Sequence, residues 1–340
     1  MARLLGLVVV VAACVACGRH SPAARGEVPT AAARREASTP PEALLVLAKR
    51  DRILAIVDPT TLAVVARVPV GDDPHEVVAT EDGRTAYVTS YGHGTFHTLS
   101  VVDLVAQEPL PPVDLGALRG PHGIVVRRGS VWFTAEGARA VGSFDPQQRS
   151  VERVLGTGQD RTHLIFVSED GRRIVTTNVS SGTVSLFDKR ASWEETIVPV
   201  GLGAEGFDVS PDGKEIWVAT AQTGSLVIVD AGEKRVLRTI DAGILGANRV
   251  KFTPNGRRVL VSSLRRGGLV VFDAQSRAVE KRVPLCHGTA GIVVQPDGSR
   301  AFVACPPEDE VAVVDLAVLE VTGHVSAGHD PDGLAWASRP

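Results

Sequence analysis

Histidine, carboxylate and amide side chains recur at one position of a repeated motif, and these are the side chains of the sequence that could do chemistry. Each stands near the start of a short apolar segment that a turn follows. The seven equivalent residues are His75, His122, His163, Glu205, Asn248, Ala290 and Asp332. Six of these seven can bind a metal ion or exchange hydrogen bonds with a ligand. If the repeats fold around one axis, these six predict a single polar ligand-binding site.

Two interpretations of this set are open. Three imidazoles and a carboxylate suit zinc or another borderline divalent ion. The predicted metal ligands are His75, His122, His163 and Glu205, and Asn248 and Asp332 complete the predicted ligand-binding set. The other interpretation is a solvated channel mouth in which polar side chains only meet water. A binding surface tolerates the gap at Ala290, whereas an enzyme would need the remaining ligands on one side to suffice.

The elements that must position these residues follow from a repeat of fixed period. Seven segments rich in β-branched and aromatic residues end in aspartate, at Asp58, Asp103, Asp145, Asp188, Asp230, Asp273 and Asp315. Successive aspartates are 45, 42, 43, 42, 43 and 42 residues apart. This length fits four short strands with their turns, and radial repetition of such a unit forms a β-propeller. The sequence therefore predicts an all-β, seven-bladed β-propeller.

The two ends of the repeat region predict how the ring closes. Residues 331–336 (PDGLAW) repeat the innermost-strand pattern of residues 74–78, but no further strand pattern follows them. The first blade begins at Leu44 without an innermost strand of its own. We therefore expect the C-terminal strand to pair into the first blade, which leaves no free sheet edge between the ends.

The repeat resembles the YVTN-repeat β-propellers. The sequences YVTS at 87–90 and VTTN at 175–178, with turns such as PDGK at 211–214, carry this resemblance, which covers residues 43–340. The resemblance implies the propeller fold but says little about the chemistry. Similar propellers include binding proteins, lactonases, streptogramin lyases and domains of periplasmic redox enzymes. Lactonase-like propellers place a catalytic metal in the channel, so the resemblance implies a divalent metal ion as a cofactor of that alternative.

One blade is also similar to a streptogramin lyase blade. The matching segments are GPHGI at 120–124, VWFTAE at 131–136 and FDP at 144–146. The other six blades follow that pattern poorly, and the sequence lacks the E-G-H stretch that would carry the lyase chemistry. We interpret this likeness as a set of repeat motifs that the two kinds of propeller share.

The N-terminal segment predicts export. Arg3 precedes an apolar run over 4–17, which is shorter than the roughly 20 residues that span a bilayer, so residues 1–17 are a predicted signal peptide. The sequence VAAC ending at Cys14 resembles a bacterial lipobox, and Cys17 is a second candidate for lipidation. Acylation of either cysteine would anchor the protein to a membrane. A plain cleaved signal is the alternative.

The composition defines the remaining parts. Residues 18–42 lack aromatic side chains and are rich in Ala, Pro, Arg and Glu, so we predict a disordered tether there and place the propeller at 43–340. Lys and Arg number 36 against 39 Asp and Glu, which leaves no basic excess for nucleic acid.

Cys286 and Cys305 are the remaining cysteines. Strand register about the turn at 296–299 pairs Cys305 with Ala290, four residues from Cys286. In an oxidising compartment a disulfide is reasonable, and two free thiols or a metal role with His287 are the alternatives.

The sequence supports two functions. The first is a monomeric, lipid-anchored extracytoplasmic propeller, in the periplasm or at the cell surface, that binds a protein or small ligand through its His-rich channel face. The second is a metal-dependent, lactonase-like hydrolase at the channel mouth with a metal-activated water as nucleophile. The sequence contains no nucleophile elbow, P-loop, Rossmann fingerprint or H-E-x-x-H motif, so catalysis without a metal has no visible machinery.

Overall fold

The computed structural model describes residues 34–35 and 37–339. The predicted signal peptide and the predicted lipidation sites at Cys14 and Cys17 lie outside these residues. No helix of the described part is both long enough and apolar enough to cross a membrane.

The described chain forms seven antiparallel sheets, each the blade of a propeller, as predicted from the repeat. Blade 1 contains β1 (Arg34–Arg35), β2 (Glu42–Ala48), β3 (Ile53–Val57) and β4 (Val64–Pro69). Blade 2 contains β5 (Pro74–Ala79), β6 (Thr85–Ser90), β7 (Thr98–Asp103) and β8 (Glu108–Asp114). Blade 3 contains β9 (Pro121–Arg127), β10 (Ser130–Ala135), β11 (Ala140–Asp145) and β12 (Ser150–Gly156).

The later blades repeat the same order. Blade 4 contains β13 (Thr162–Val167), β14 (Arg173–Asn178), β15 (Thr183–Lys189) and β16 (Trp193–Pro199). Blade 5 contains β17 (Ala204–Val209), β18 (Glu215–Thr220), β19 (Ser225–Asp230) and β20 (Arg235–Asp241). Blade 6 contains β21 (Ala247–Phe252), β22 (Arg258–Ser263), β23 (Leu269–Asp273) and β24 (Val279–Val283). Blade 7 contains β25 (Ile292–Val294), β26 (Arg300–Cys305), β27 (Glu310–Asp315) and β28 (Glu320–Val325), and β29 (Pro331–Ser338) follows. Three short 3-10 turns cover Gly92–Gly94, Glu136–Ala138 and Pro306–Glu308.

The second and third strands of each blade are buried because each blade packs against two neighbours. In blade 5, the residues of 216–219 and 226–229 are at most 2% exposed. Such strands contain continuous apolar runs, since both faces of the sheet lie in the core. The core residues of one cluster come from adjacent blades, for example Val175 of blade 4 and Val218 of blade 5.

The C-terminal strand closes the ring, as predicted. Strand β29 pairs antiparallel with β2, from Glu42 opposite Ser338 to Ala48 opposite Pro331. It supplies the innermost strand that the N-terminal part of blade 1 lacks, so the first and last segments of the propeller share one sheet.

The described end of the predicted tether belongs to the first blade. Strand β1 pairs with β4, with Arg35 opposite Ala66. Thr39 is buried, and its hydroxyl donates a hydrogen bond of 2.5 Å to the carbonyl of Leu104. Gln107 donates to the carbonyl of Ala37 at 2.7 Å. Packing therefore begins before residue 43, because the edge strand β4 and the β7–β8 turn offer hydrogen-bonding groups to this segment.

Glycines position the innermost strands around the channel. In four blades the residue after the aligned polar position is a glycine, at Gly123, Gly206, Gly291 and Gly333. A Cβ added at these glycines would lie 2.6, 2.1, 2.1 and 2.4 Å from a carbonyl oxygen of the next blade, at His163, Asn248, Asp332 and His75 respectively. Adjacent innermost strands therefore approach closely at the level of the aligned residues.

We expect Gly206→Ala to lower the free energy of unfolding by about 2 kcal/mol, since overpacking of this kind costs about 1–3 kcal/mol. The new methyl group would meet the carbonyl oxygen of Asn248 at 2.1 Å. The matched control is Gly156→Ala on an outer strand, where an added Cβ meets nothing within 4 Å. Urea denaturation of the two variants would show equal losses if the close approach were unimportant.

Candidate active site at the channel mouth

All seven aligned positions line one cavity of about 260 Å³ at an end of the central channel. Their convergence follows from the fold, because each stands at the start of the innermost strand of its blade. Seven further residues line the cavity, namely Lys49, Tyr91, Arg161, Arg249, Leu264, Pro306 and Asp330. The alignment therefore identified half of the lining, and the other half comes from loops and neighbouring positions.

His163 lies between two carboxylates. Its Nδ1 is 2.6 Å from Glu136 Oε1, and its Nε2 is 3.1 Å from Glu205 Oε1. Burial alone would lower the pKa of His163, but the charge of Glu205 and the hydrogen bond to Glu136 raise it to about 9. Burial would raise the pKa of Glu205, but the charge of His163 and its hydrogen bond, with the charges of Arg249 and Arg161, hold that pKa at about 2. His163 is therefore an imidazolium ion at neutral pH.

Glu136 is the main site residue that the sequence alignment missed. It lies in the 3-10 turn after β10, in the segment VWFTAE that resembles a streptogramin lyase blade. Its Oε2 accepts a hydrogen bond of 2.6 Å from the Tyr91 hydroxyl and lies 3.5 Å from Arg161 Nε. Burial would raise the pKa of Glu136, but the bond to His163 and the other contacts lower it. Burial and the carboxylate of Glu136 raise the pKa of Tyr91.

The loop that carries Tyr91 is held against blade 3 by two glycines. A Cβ at Gly137 would lie 2.4 Å from the carbonyl oxygen of Gly94, and one at Gly120 would lie 2.6 Å from Gly94 Cα. The contact of this loop with Glu136 depends on the approach between the two blades.

His122 is buried between the two other histidines. Its ring centroid lies 3.9 Å from that of His163 and 4.6 Å from that of His75. Burial, followed by the charges of His163 and His75, lowers the pKa of His122 well below its ordinary value, so the ring is neutral. Its Nδ1 is buried without a hydrogen-bond partner among the described residues.

His75 belongs to a separate group on the blade 1 side of the cavity. The Nζ of Lys49, at the end of β2, lies 2.9 Å from His75 Nδ1, 3.6 Å from Asp73 Oδ1 and 3.3 Å from Asp332 Oδ2. The hydrogen bond to His75 and the nearby charges lower the pKa of Asp73. Burial would raise the pKa of Asp332, but His75 and Lys49 lower it. The ammonium group of Lys49 therefore lies beside His75, which the sequence predicts as a metal ligand.

A buried ion pair joins blades 2 and 6 beside the cavity. Arg249 of blade 6 is buried and contacts the Glu76 carboxylate of blade 2, and its Nη1 donates to Asn248 Oδ1 at 3.2 Å. Arg249 lines both the channel-mouth cavity and a second cavity of about 260 Å³, whose walls include Glu76, Phe166 and Phe207.

His122 and His163 of the cavity wall, together with the buried Glu136 behind them, come closest to a metal-binding geometry. One ligand atom from each lies within 4.8 Å of the others, and all three residues are buried. Glu205 faces Nε2 of His163, whereas Glu136 faces Nδ1. The predicted set of four therefore shares a cavity, but His75 and Glu205 do not belong to this cluster.

Cys286 and Cys305 form a disulfide bond, with Cα atoms 6.0 Å apart. They lie near Glu308, but bonded sulfur atoms are not thiolate ligands. His287 is 95% exposed and contacts Glu308 Oε1 through Nδ1 at 2.5 Å. The disulfide links the loop that enters β25 to the end of β26 and so supports the cavity wall at Ala290.

Comparison with known proteins shows the fold. No family model matches the chain, so its place among the YVTN-repeat proteins stays a prediction. No curated protein matches it either. Among solved structures, a protein of unknown function from Desulfotomaculum acetoxidans has a TM-score of 0.73 at 15% identity, covering 88% of this chain and 99% of that one.

Two further similar structures are enzymes or candidate enzymes. A candidate 6-phosphogluconolactonase from Bacteroides uniformis has a TM-score of 0.72 at 17% identity, covering 87% of this chain and 99% of that one. The dihydro-heme d1 dehydrogenase NirN, in complex with DHE, has a TM-score of 0.65 at 15% identity, covering 88% of this chain and 66% of that one. At sequence identities this low, the similarities establish the seven-bladed propeller fold. The chemistry has to be inferred from the residues of the site.

Proposed function

We propose that this protein is a lipid-anchored, extracytoplasmic β-propeller that binds a small polar ligand, or a polar group of a protein partner, at its channel mouth. The observation that carries this proposal is the convergence of six polar side chains from six blades on one cavity. Buried polar groups ordinarily have partners, so Nδ1 of His122, which has none among the described residues, is available for a hydrogen bond to a ligand.

The cavity favours a small anionic ligand. Its volume of about 260 Å³ lies just below the range for ligand pockets, about 300–1,000 Å³, so only a small ligand fits. Arg161 lines it with a side chain 47% exposed, and the contact of its guanidinium with Glu136 is long, at 3.5 Å. This guanidinium is therefore accessible to a carboxylate, which arginine binds with two parallel hydrogen bonds. Lys49 adds a second positive charge to the wall.

Calorimetric titration with D-gluconate, a small hydroxylated carboxylate, tests this ligand class. We expect Arg161→Met to weaken binding about ten-fold or more, because a hydrogen bond to a charged group contributes about 1.5–3 kcal/mol. Arg172→Met, in the β13–β14 turn at the other end of the channel, is the matched control. Absence of binding to the unaltered protein, or equal binding by both variants, would contradict an anionic ligand held by Arg161.

Membrane attachment is part of the proposal and rests on the sequence alone. We expect Cys14 or Cys17 to carry the lipid, and mass spectrometry of the mature N-terminus identifies which. The variants Cys14→Ser and Cys17→Ser distinguish the two candidates, since only one should release the protein from membranes. Recovery of the unaltered protein in the soluble fraction, with an N-terminus that carries no lipid, would favour the plain cleaved signal.

A metal-dependent, lactonase-like hydrolase is the second candidate function. The specific observation in its favour is the buried cluster of His122, Glu136 and His163 at a cavity that a small lactone could enter. A divalent metal would supply Lewis-acid polarisation of a carbonyl and a water of lowered pKa. Arg161 and Lys49 would orient the substrate and stabilise the carboxylate of its hydrolysed product. The similar candidate 6-phosphogluconolactonases support the choice of lactone as substrate class.

Hydrolysis of δ-gluconolactone in a pH-stat, above its spontaneous rate, tests the second candidate. An enzyme should lose this rate in EDTA and in the triple variant His75→Ala, His122→Ala and His163→Ala, and recover it in the unaltered protein after addition of Zn²⁺. D-Gluconate binding without any acceleration of lactone opening would support the binding function and contradict the hydrolase.

A further inference from the structure

A second concave surface, which we call the blade 6 groove, lies beside the channel mouth. Its volume is about 950 Å³, and three loop regions line it: residues 243–244 before β21, residues 265–270 at the β22–β23 turn and the start of β23, and residues 282–287 after β24. Glu308 completes the lining. None of these residues lines the channel-mouth cavity, so the groove is a separate site.

The groove has a positive charge that the protein does not neutralise there. Arg265 and Arg266 are exposed, and their side chains make no hydrogen bond or ion pair with any described residue. Arg282 donates from Nη2 to a backbone carbonyl at 2.8 Å, which leaves its charge unpaired by that contact. Glu308, the one carboxylate among the described residues of the lining, already contacts His287 at 2.5 Å. Three guanidinium groups therefore face a groove without a free carboxylate.

Much of the remaining lining is apolar, namely Ile244, Leu269, Val270, Val283, Pro284 and Leu285. Two leucines at the edge are exposed, Leu245 by 37% and Leu264 by 50%. The N–H of Leu264 donates to the carbonyl of Gly246 at 2.9 Å, so the loops that carry the two leucines are adjacent. Arginine is enriched in protein interfaces, whose buried centres are also more apolar than the surrounding surface. This combination is therefore typical of a surface that binds a protein.

Close packing holds the arginine loop in place. A Cβ at Gly246 would lie 2.6 Å from Cγ of Arg265, and one at Gly267, where φ is +64°, would collide with the carbonyl oxygen of Cys286. Cys286 is in turn bonded to Cys305 at the end of β26. The stem of Arg265 is thus packed while its guanidinium stays free, and an ordered groove loses less entropy when a partner binds.

We propose that the blade 6 groove binds an acidic segment of a partner protein that also contains leucine side chains. Arginine binds carboxylates through two parallel hydrogen bonds, and Arg265 and Arg266 offer these donors without a competing carboxylate among the described residues. A volume of about 950 Å³ is at the upper end of the range for ligand pockets, about 300–1,000 Å³, so a peptide segment fits better than a small anion. This site goes beyond the channel-mouth ligand and does not depend on it.

Charge argues against two other occupants. Residues 18–42 of this chain contain four arginines and three glutamates, so the predicted tether lacks the negative charge that the groove requires. Surfaces that recognise anionic lipids commonly contain clusters of about four to eight Lys or Arg residues. The groove has three arginines, and the whole chain has a formal net charge of −3, which an anionic membrane repels.

Fluorescence anisotropy of a labelled peptide, Asp-Leu-Glu-Asp-Leu-Glu, titrated with the protein tests the proposal. We expect binding that weakens as NaCl is added. The double variant Arg265→Met and Arg266→Met should weaken it about ten-fold or more, because a bond to a charged group is strong. The matched control is Arg172→Met with Arg257→Met, which removes two exposed charges from turns at the other end of the propeller. This control should bind like the unaltered protein.

Three results would overturn the proposal: no binding of the acidic peptide, equal binding of the uncharged peptide Asn-Leu-Gln-Asn-Leu-Gln, or equal affinities of the two double variants. Displacement of the peptide by phosphatidylserine vesicles, but not by phosphatidylcholine vesicles, would assign the groove to a membrane instead. A dimer in sedimentation velocity that dissociates in the Arg265→Met and Arg266→Met variant would assign it to a second copy.

The groove and the channel mouth are tested separately. Arg161→Met should bind the acidic peptide like the unaltered protein, and the Arg265→Met and Arg266→Met variant should bind D-gluconate like the unaltered protein. Peptide binding that Arg161→Met weakens as strongly would place the peptide at the channel mouth and overturn the proposal. Absence of D-gluconate binding with peptide binding intact would contradict only the anionic ligand of the channel mouth.

Discussion

Replacing Glu136 with alanine is expected to lower the free energy of unfolding by about 3 kcal/mol, because breaking a buried ion pair costs about 3–5 kcal/mol. The side chains of Glu136 and His163 are each only 3% exposed, and their contact is 2.6 Å long. The substitution would also remove the acceptor of the Tyr91 hydroxyl. Its effect combines the loss of one of the two carboxylates beside the His163 imidazolium with the loss of the acceptor of a partly buried hydroxyl. Urea denaturation in EDTA at neutral pH measures it.

The chain offers a matched control for this substitution. Glu308 also lies in a 3-10 turn and also contacts a histidine, but the side chain of His287 is 95% exposed. Exposed pairs contribute about 1 kcal/mol or less, because water screens them. We therefore expect Glu308→Ala to cost at most about 1 kcal/mol. Equal losses in the two variants would mean that burial of the His163 pair does not stabilise the fold.

The pH dependence of stability is the second large effect. The pKa of His163 is about 9 in the folded protein, against an ordinary value of 6.5. Folding therefore favours the protonated ring, and the resulting stability is fully present below about pH 6.5. It is lost as the pH rises through 9, by about 3 kcal/mol in total at 1.36 kcal/mol per pKa unit. Glu136, Glu205, Arg161 and His122 face this ring or its partners.

Stability should also fall on the acid side. The pKa of His122 is lowered by burial, so the unfolded chain takes up its proton first and folding weakens as the pH falls below 6.5. The pKa of Glu205 is about 2 in the folded protein, so its contribution is lost as the pH falls from 4.5 towards 2. Maximum stability is therefore expected near pH 6.5.

Denaturation in EDTA at a series of pH values measures this profile. His163→Gln should remove the loss between about pH 6.5 and about pH 10, whereas the surface variant His329→Gln should keep it. If His163→Gln does not fold, the imidazole resonances of labelled histidine report the same ionisation in the unaltered protein. A His163 ring that is neutral at pH 7.5 would contradict the assignment.

Local patterns in the chain were sufficient to predict the propeller. Strands are selected by apolar and β-branched runs, and turns by glycine, so a period near 43 residues predicts identical sheets without knowledge of their contacts. Pairing of β29 with β2 followed from a missing innermost strand at one end and a surplus one at the other. The seven aligned residues share a cavity because equivalent positions of a ring meet at its axis.

The contacts between those residues could not be predicted from the repeat. Glu136, Tyr91 and Lys49 stand outside the aligned position, in a turn, in a loop and at the end of a strand, and they decide the charge state of the histidines. Their approach depends on distances between blades, which close contacts at Gly137 and Gly120 set in three dimensions. The period of the repeat predicts which side chains face the channel. It does not predict which residue each of those side chains contacts.

The sequence by itself thus determined the number of blades, the closure of the ring and the residues around its mouth, since these depend on short-range pattern and symmetry. Only the tertiary structure decided that His163 is held as a cation, that Nδ1 of His122 has no hydrogen-bond partner among the described residues and that His75 contacts Lys49. Electrostatic energies change steeply over a few ångströms in a buried site. Those distances arise from packing between blades that are far apart in the chain.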